Sequence, residues 1–274
     1  MRITRDSLAF IACVASPFFI PVAAAQDDPG TDGPEAEGPV TFSATVALAT
    51  DYRFRGISQT ENDLALQGGF KASHARGFYV GAWASNLSGW GTFGGANLEL
   101  DLYGGYSTAV GSVTVDGGVI WYVFPQGSDN TSYGEFYGSL ARPFGPATVT
   151  LGANYAFKQS ALSLAGEKED NMYVFAKAGA AIENSPLSFS AQIGYSDGNG
   201  GAGPNGWVAS PTGHYLDWSA GVTVKLPWGP LSMSATYVDT DISRSEAAAF
   251  QLINSGYRYG IGAATGVFAI TAAF

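Results

Sequence analysis

The side chains able to do chemistry are few, and most share one parity of alternating segments. Arg53 and Arg55 stand two apart, as do Glu99 and Asp101, and Asp51, Asp116, Glu135 and Asp217 have the corresponding parity in their own segments. On an extended strand, residues two apart point to the same side. Arg53 and Arg55 are read as one wall of a constriction, with Glu99, Asp101 and Glu135 as the other. Opposed charges across a wet passage set up a transverse field that orients charged or dipolar solutes. The same residues allow a second reading, a plug of salt bridges that braces a narrow barrel, and a third, a specific ligand site. Lys71, Lys177 and Lys225 are further charges of inward parity.

Catalysis finds little support. There are two histidines. His74 falls beside a short turn. His214 has Ser210 and Asp217 nearby, but His214 and Asp217 differ in parity and should point to opposite faces of a strand. No nucleophile motif accompanies them, so the chain is read as a non-enzyme. No cofactor motif and no metal set is present, with neither a cysteine pair nor a histidine pair. Asp197 to Gly206 (DGNGGAGPNG) is similar to Gly/Asp-rich calcium repeats but occurs once, and is read as an external loop. Gly166 to Asp170 (GEKED) reads as a solvated loop tip whose carboxylates could bind divalent ions that bridge lipopolysaccharide.

Residues 1–25 are set apart. Arg2 and Arg5 precede an apolar run from Leu8 to Val22, and Ala23-Ala24-Ala25 supplies a small-residue cleavage site, the pattern of a secretory signal peptide. The one cysteine, Cys13, lies inside it. Without Arg2, Arg5 and Asp6 the chain keeps 11 basic and 22 acidic side chains, a balance that disfavours nucleic acid. Residues 26–38 are acidic and Pro/Gly-rich, and read as a disordered leader. Residues 39–274 form the remaining domain.

The elements that must position the charges come from that domain. Val40 to Phe54 alternates over about fifteen residues, with Val40, Phe42, Ala44, Val46, Leu48, Tyr52 and Phe54 on one face. Similar segments follow, and Ala96 to Ser107 and Val113 to Phe124 are among the clearest. Twelve are expected in all, the last starting near Tyr257, with Ala247 to Ile253 read as a short helix. Short turns alternate with longer links such as ISQTEND and QSALSLAGEKED. No run of 18 apolar residues is present, which leaves a β-barrel as the way to cross a membrane. The expected fold is all-β: a transmembrane up-and-down antiparallel β-barrel of about 12 strands. Tyr52, Phe54, Phe78, Tyr106, Trp121, Tyr155, Tyr195, Trp218, Trp228 and Tyr237 are expected in its interfacial girdles. Both termini should lie on the short-turn, periplasmic side, and Phe274 ends the last strand in the manner of an outer-membrane assembly signal.

The runs ATDYRFRGISQTENDLALQGGF (Ala49 to Phe70), GFYVGAWASNLS (Gly77 to Ser88) and ELDLYGGY (Glu99 to Tyr106) resemble the TorF family of bacterial porins. The resemblance covers most of the chain after the leader. It implies an outer-membrane barrel and passive uptake of small solutes, without naming the solute. The partners expected are membrane lipid, lipopolysaccharide, the outer-membrane assembly machinery through Phe274, and small solutes. The alternatives are a closed structural or adhesive barrel and, more distantly, a secreted soluble barrel, which would leave a large apolar surface in water.

Overall fold

Period-two alternation gives every strand one apolar and one polar face, and an open sheet of such strands would leave two unpaired edges. Closure removes both. The computed structural model describes residues 39–127, 131–164, 167–200, 209–250, 252 and 260–274. The strands are β1 (Val40–Ala49), a short inner pair β2 (Arg53–Phe54) and β3 (Ile57–Ser58), β4 (Ala65–His74), β5 (Phe78–Asn86), β6 (Leu98–Val110), β7 (Val113–Val123), β8 (Tyr133–Phe144), β9 (Ala147–Leu164), β10 (Glu167–Ala181), β11 (Leu187–Gly198), β12 (His214–Lys225) and β13 (Leu231–Thr240), followed by the helix α1 (Arg244–Ala249) and β14 (Thr265–Ala273). Among the described residues, twelve strands form one closed antiparallel barrel, and only β2 and β3 stand apart from it. β1 completes the ring by pairing with β4 on one side and β14 on the other, so that Leu48 faces both Leu66 and Ile270.

The two faces of the wall separate as alternation requires. Leu66, Val80, Leu102, Val119, Phe136, Leu151, Ile193 and Met233 are exposed on the outside, with Leu66 and Val80 each 61% accessible. Tyr79, Trp83, Tyr122 and Tyr215, one residue out of phase, are buried inside. At the short-turn rim, Phe42 stacks on Phe70 at 5.9 Å and Phe78 meets Tyr106 at 4.9 Å. Among the described residues no helix is long and apolar enough to cross a membrane, which says nothing of strands.

The packed core lies inside the barrel, toward the long-loop end. One cluster joins Tyr52, Phe54, Trp83, Leu87, Phe93, Tyr122, Phe124 and Tyr133. A second joins Ile57, Tyr215, Ala247, Leu252 and Ile261, so α1 and the loop before β14 cover the inner hairpin.

Three expectations are corrected. The first strand stops at Ala49, not Phe54, and residues 51–60 leave the wall and fold into the lumen. Tyr52 and Phe54 are therefore interior residues (3% and 7% exposed), not girdle residues, and ISQTEND is not an outer loop. The break comes at Arg55 and Gly56, both with positive φ (48° and 81°), the signature of a two-residue hairpin turn. Second, the link QSALSLAGEKED is largely strand: β9 runs to Leu164 and β10 starts at Glu167, with Gly166 outside the described residues. Gln159 sustains the extension by bonding both the N–H and the C=O of Gly134 at 2.9 Å, as a backbone partner would. Third, the helix begins three residues before Ala247, because Ser243 and Glu246 form a reciprocal capping box that fixes its start. Ile253 and Tyr257 lie outside the described residues, as do 201–206 of the glycine-rich loop.

Candidate functional site

The 51–60 segment folds inward because its own polar side chains replace the ladder bonds it gives up. Asp51 accepts from Ser58 Oγ at 2.5 Å, from Thr60 Oγ1 at 3.0 Å and from Arg53 Nε at 2.5 Å. Tyr52 N donates to Thr60 Oγ1, and Gln59 N donates to Tyr52 O. Arg53 then fastens the hairpin to the last long loop, donating to Ile261 O (2.5 Å), Gly56 O (3.0 Å) and Asn62 Oδ1 (2.5 Å). These are charge-assisted bonds, stronger than neutral ones. At the tip Gly56 packs so closely that a Cβ would fall 2.4 Å from Thr240 Cγ2 and 3.0 Å from Asp217 Cβ.

That packing places Arg55 inside the lumen, toward its long-loop end. Its Nη2 lies 2.7 and 2.8 Å from the two carboxylate oxygens of Glu135 on β8. Its guanidinium carbon is 4.7 Å from the Phe54 ring centre and 4.4 Å from that of Tyr173 on β10, within cation–π range of both. Glu135 also accepts from Tyr122 OH and Asn154 Nδ2, each at 3.1 Å. Arg55 and Glu135 are 6% and 1% exposed, so this is a buried pair held by neighbours from three further strands.

The remaining acids are less well served. Glu99 accepts from Tyr52 OH at 3.2 Å. Asp101 is fully buried, and neither of its carboxylate oxygens has a hydrogen-bond partner among the described residues. Asp217 accepts from Tyr173 OH at 3.2 Å through one oxygen and has no such partner on the other. The wall round Arg55 therefore carries more carboxylate than one guanidinium answers. Among the described residues no group of three His, Cys, Asp or Glu side chains is placed to hold a metal ion.

A second polar layer lies nearer the short-turn end. Tyr79 OH sits 2.9 Å from Asp116 Oδ1 and 2.6 Å from Tyr137 OH, with Lys71 Nζ 5.4 Å from the Tyr79 ring centre. Beside the base of the hairpin a cavity of about 50 Å³ is lined by Ala47, Gln67, Trp83, Thr236 and the Asp51–Arg53 pair.

The structure thus brings Arg55, Glu135, Glu99, Asp101 and Asp217 to one end of the lumen and separates Asp116 from them. Arg53 does not face the acidic wall; it turns back on Asp51, because past Ala49 the chain has left the wall and Arg53 lies on the inner hairpin. Sequence reasoning missed Tyr52, Phe54, Tyr122, Asn154 and Tyr173. Parity placed Tyr122 and Tyr173 opposite their apolar neighbours, and an inward tyrosine beside an inward carboxylate was the available signal. His214 is exposed and Asp217 buried, in keeping with their opposite parity.

A family model described as "Bacterial protein of unknown function (Gcw_chp)" matches residues 33–274, and the chain belongs to that family. No curated protein matches it. Among solved structures, one titled as the NanC porin superposes with a TM-score of 0.54 at 10% identity, over 85% of this chain and 99% of that one. One titled as the KdgM porin gives 0.53 at 6% identity, over 85% and 98%. At such identities the likeness concerns the fold: a closed twelve-strand barrel.

Proposed function

We propose that this member of the Gcw_chp family is an outer-membrane channel for small solutes, held shut by the inward hairpin of β2 and β3. One observation carries the reading. The wall is a complete barrel with an apolar outside and a polar inside, and its lumen is filled at the long-loop end by a segment that belongs to no wall strand. A barrel meant only as a brace can fill its interior from its own strands; here a separate hairpin, paired with no wall strand, does it. The leader of residues 1–25 would deliver the chain to the envelope, with the short turns facing the periplasm and the long loops facing lipopolysaccharide. Phe274, exposed at the end of the last segment, suits recognition by the assembly machinery. The TorF resemblance and the porin titles of the two structural neighbours point the same way.

The filled lumen also favours a second reading, a closed barrel with a structural or adhesive role. Planar bilayers separate the two. The channel reading expects low or flickering conductance from the processed chain, and a steady, larger one when residues 53–60 are replaced by a Gly/Ser linker. Silence from both proteins, with the barrel intact, would favour the closed barrel. Recovery of the processed chain in any fraction other than the outer membrane would remove both.

A further inference from the structure

We infer that the box around Arg55 is a receptor for the guanidinium or ammonium group of an organic cation, and that Arg55 fills it as an internal surrogate while the hairpin is docked. The inference rests on the channel reading and gives it a substrate class.

Arg55 arrives on the hairpin, but what receives it belongs to the wall. Glu135 comes from β8, its donors Tyr122 and Asn154 from β7 and β9, the Tyr173 face from β10 and Asp217 from β12. A carboxylate with an aromatic face beside it is the chemistry that binds guanidinium and ammonium groups. Glu135 is held by Tyr122 and Asn154 as well as by Arg55, and both belong to the wall, so its orientation has support that the hairpin does not supply. The acceptor capacity also exceeds what Arg55 uses. Both oxygens of fully buried Asp101, and one of Asp217, have no hydrogen-bond partner among the described residues. Arg55 Nη1 is likewise buried without one, so the hairpin fits the box incompletely. A free cation, not tethered to a strand end, can reach acceptors that Arg55 leaves unused. An anion would meet the Glu135 carboxylate.

Agmatine, a small guanidinium amine, is the probe, titrated calorimetrically into the processed barrel in detergent, with sodium chloride at matched ionic strength and sodium glutamate as controls. Arg55→Ala should bind agmatine saturably, and both wild type and the double variant Arg55→Ala/Glu135→Gln should bind it at least tenfold more weakly. Folded Arg55→Ala that shows no saturable binding, or that binds no better than the double variant, would overturn the receptor. If Arg55→Ala does not fold, the wild type answers instead: amide exchange across residues 50–64 should quicken in agmatine over matched sodium chloride, and unchanged exchange overturns the idea. Conductance by the hairpin-replaced barrel without agmatine binding to Arg55→Ala sinks the receptor and leaves the channel. Agmatine binding without conductance in any variant supports the receptor and removes the channel.

Discussion

Glu135 and Arg55 form a contact whose two members depend on each other. Breaking a buried ion pair from one side leaves an uncompensated charge and costs about 3–5 kcal/mol, whereas replacing both members by apolar groups of similar volume is often neutral. Glu135→Ala would strand a guanidinium between two aromatic rings and far from water. It should lower the temperature at which the barrel loses its compact mobility on a gel, while Arg55→Met/Glu135→Leu should restore most of the loss. A double variant as fragile as the single one would mean that the pair is not what holds the hairpin. Parity alone placed Arg55, Glu135, Glu99 and Asp101 in the lumen. It could not reveal that Arg55 meets Glu135, because that contact spans 80 positions and depends on a turn. Nor could it show Arg53 folding back onto Asp51, since Asp51, Arg53 and Arg55 keep strand-like alternation up to the residue where the chain reverses.

The hairpin and the helix that covers it are the elements on which opening depends. Pairing of the twelve wall strands was legible because a one-residue slip would carry every apolar side chain to the wet side. Residues 51–60 obey no such constraint, since both sides of an interior hairpin are enclosed, and there the alternation misled. Gly56 is the residue that made the turn possible. Its φ of 81° is strained for any other residue, and a Cβ would collide with Thr240. Gly56→Ala should therefore loosen the hairpin while leaving the wall intact. The expected outcome is raised single-channel conductance with unchanged strand content by circular dichroism; unaltered conductance would free the turn from any gating role. The cover has its own pH dependence. Ser243 Oγ and N donate to the Glu246 carboxylate at 2.6 and 2.8 Å, which holds that carboxyl below its ordinary 4.5. A lowered value means that the charged form supports the helix. The support is complete above 4.5 and is lost as pH falls through the lowered value. Amide protection over residues 244–249 should drop on acidification in that window, and Glu246→Gln should remove the pH dependence. A wild type and a variant that respond alike would assign the helix start to something other than its cap.

At the scale of the whole molecule, the claim is that the outer belt meets hydrocarbon, and it can be tested by depth. A charge on the lipid face of a barrel costs about 2–4 kcal/mol at the midplane and about 0–1 near the interface. Leu102 is exposed on β6 four residues from Tyr106, which pairs with Phe78 at the short-turn rim. Four residues of tilted strand carry it well inside a hydrocarbon band about 25 Å tall. Phe144 is as exposed as Leu102 but ends β8 beside a turn. In water the two positions should respond alike to arginine, since both already face solvent. In lipid vesicles Leu102→Arg should lose several-fold more stability than Phe144→Arg, read from unfolding in guanidinium chloride. The gap should narrow in thinner bilayers as the substituted position moves toward the headgroups. Equal losses at the two positions, at every thickness, would show that depth plays no part, and the apolar belt would need another partner.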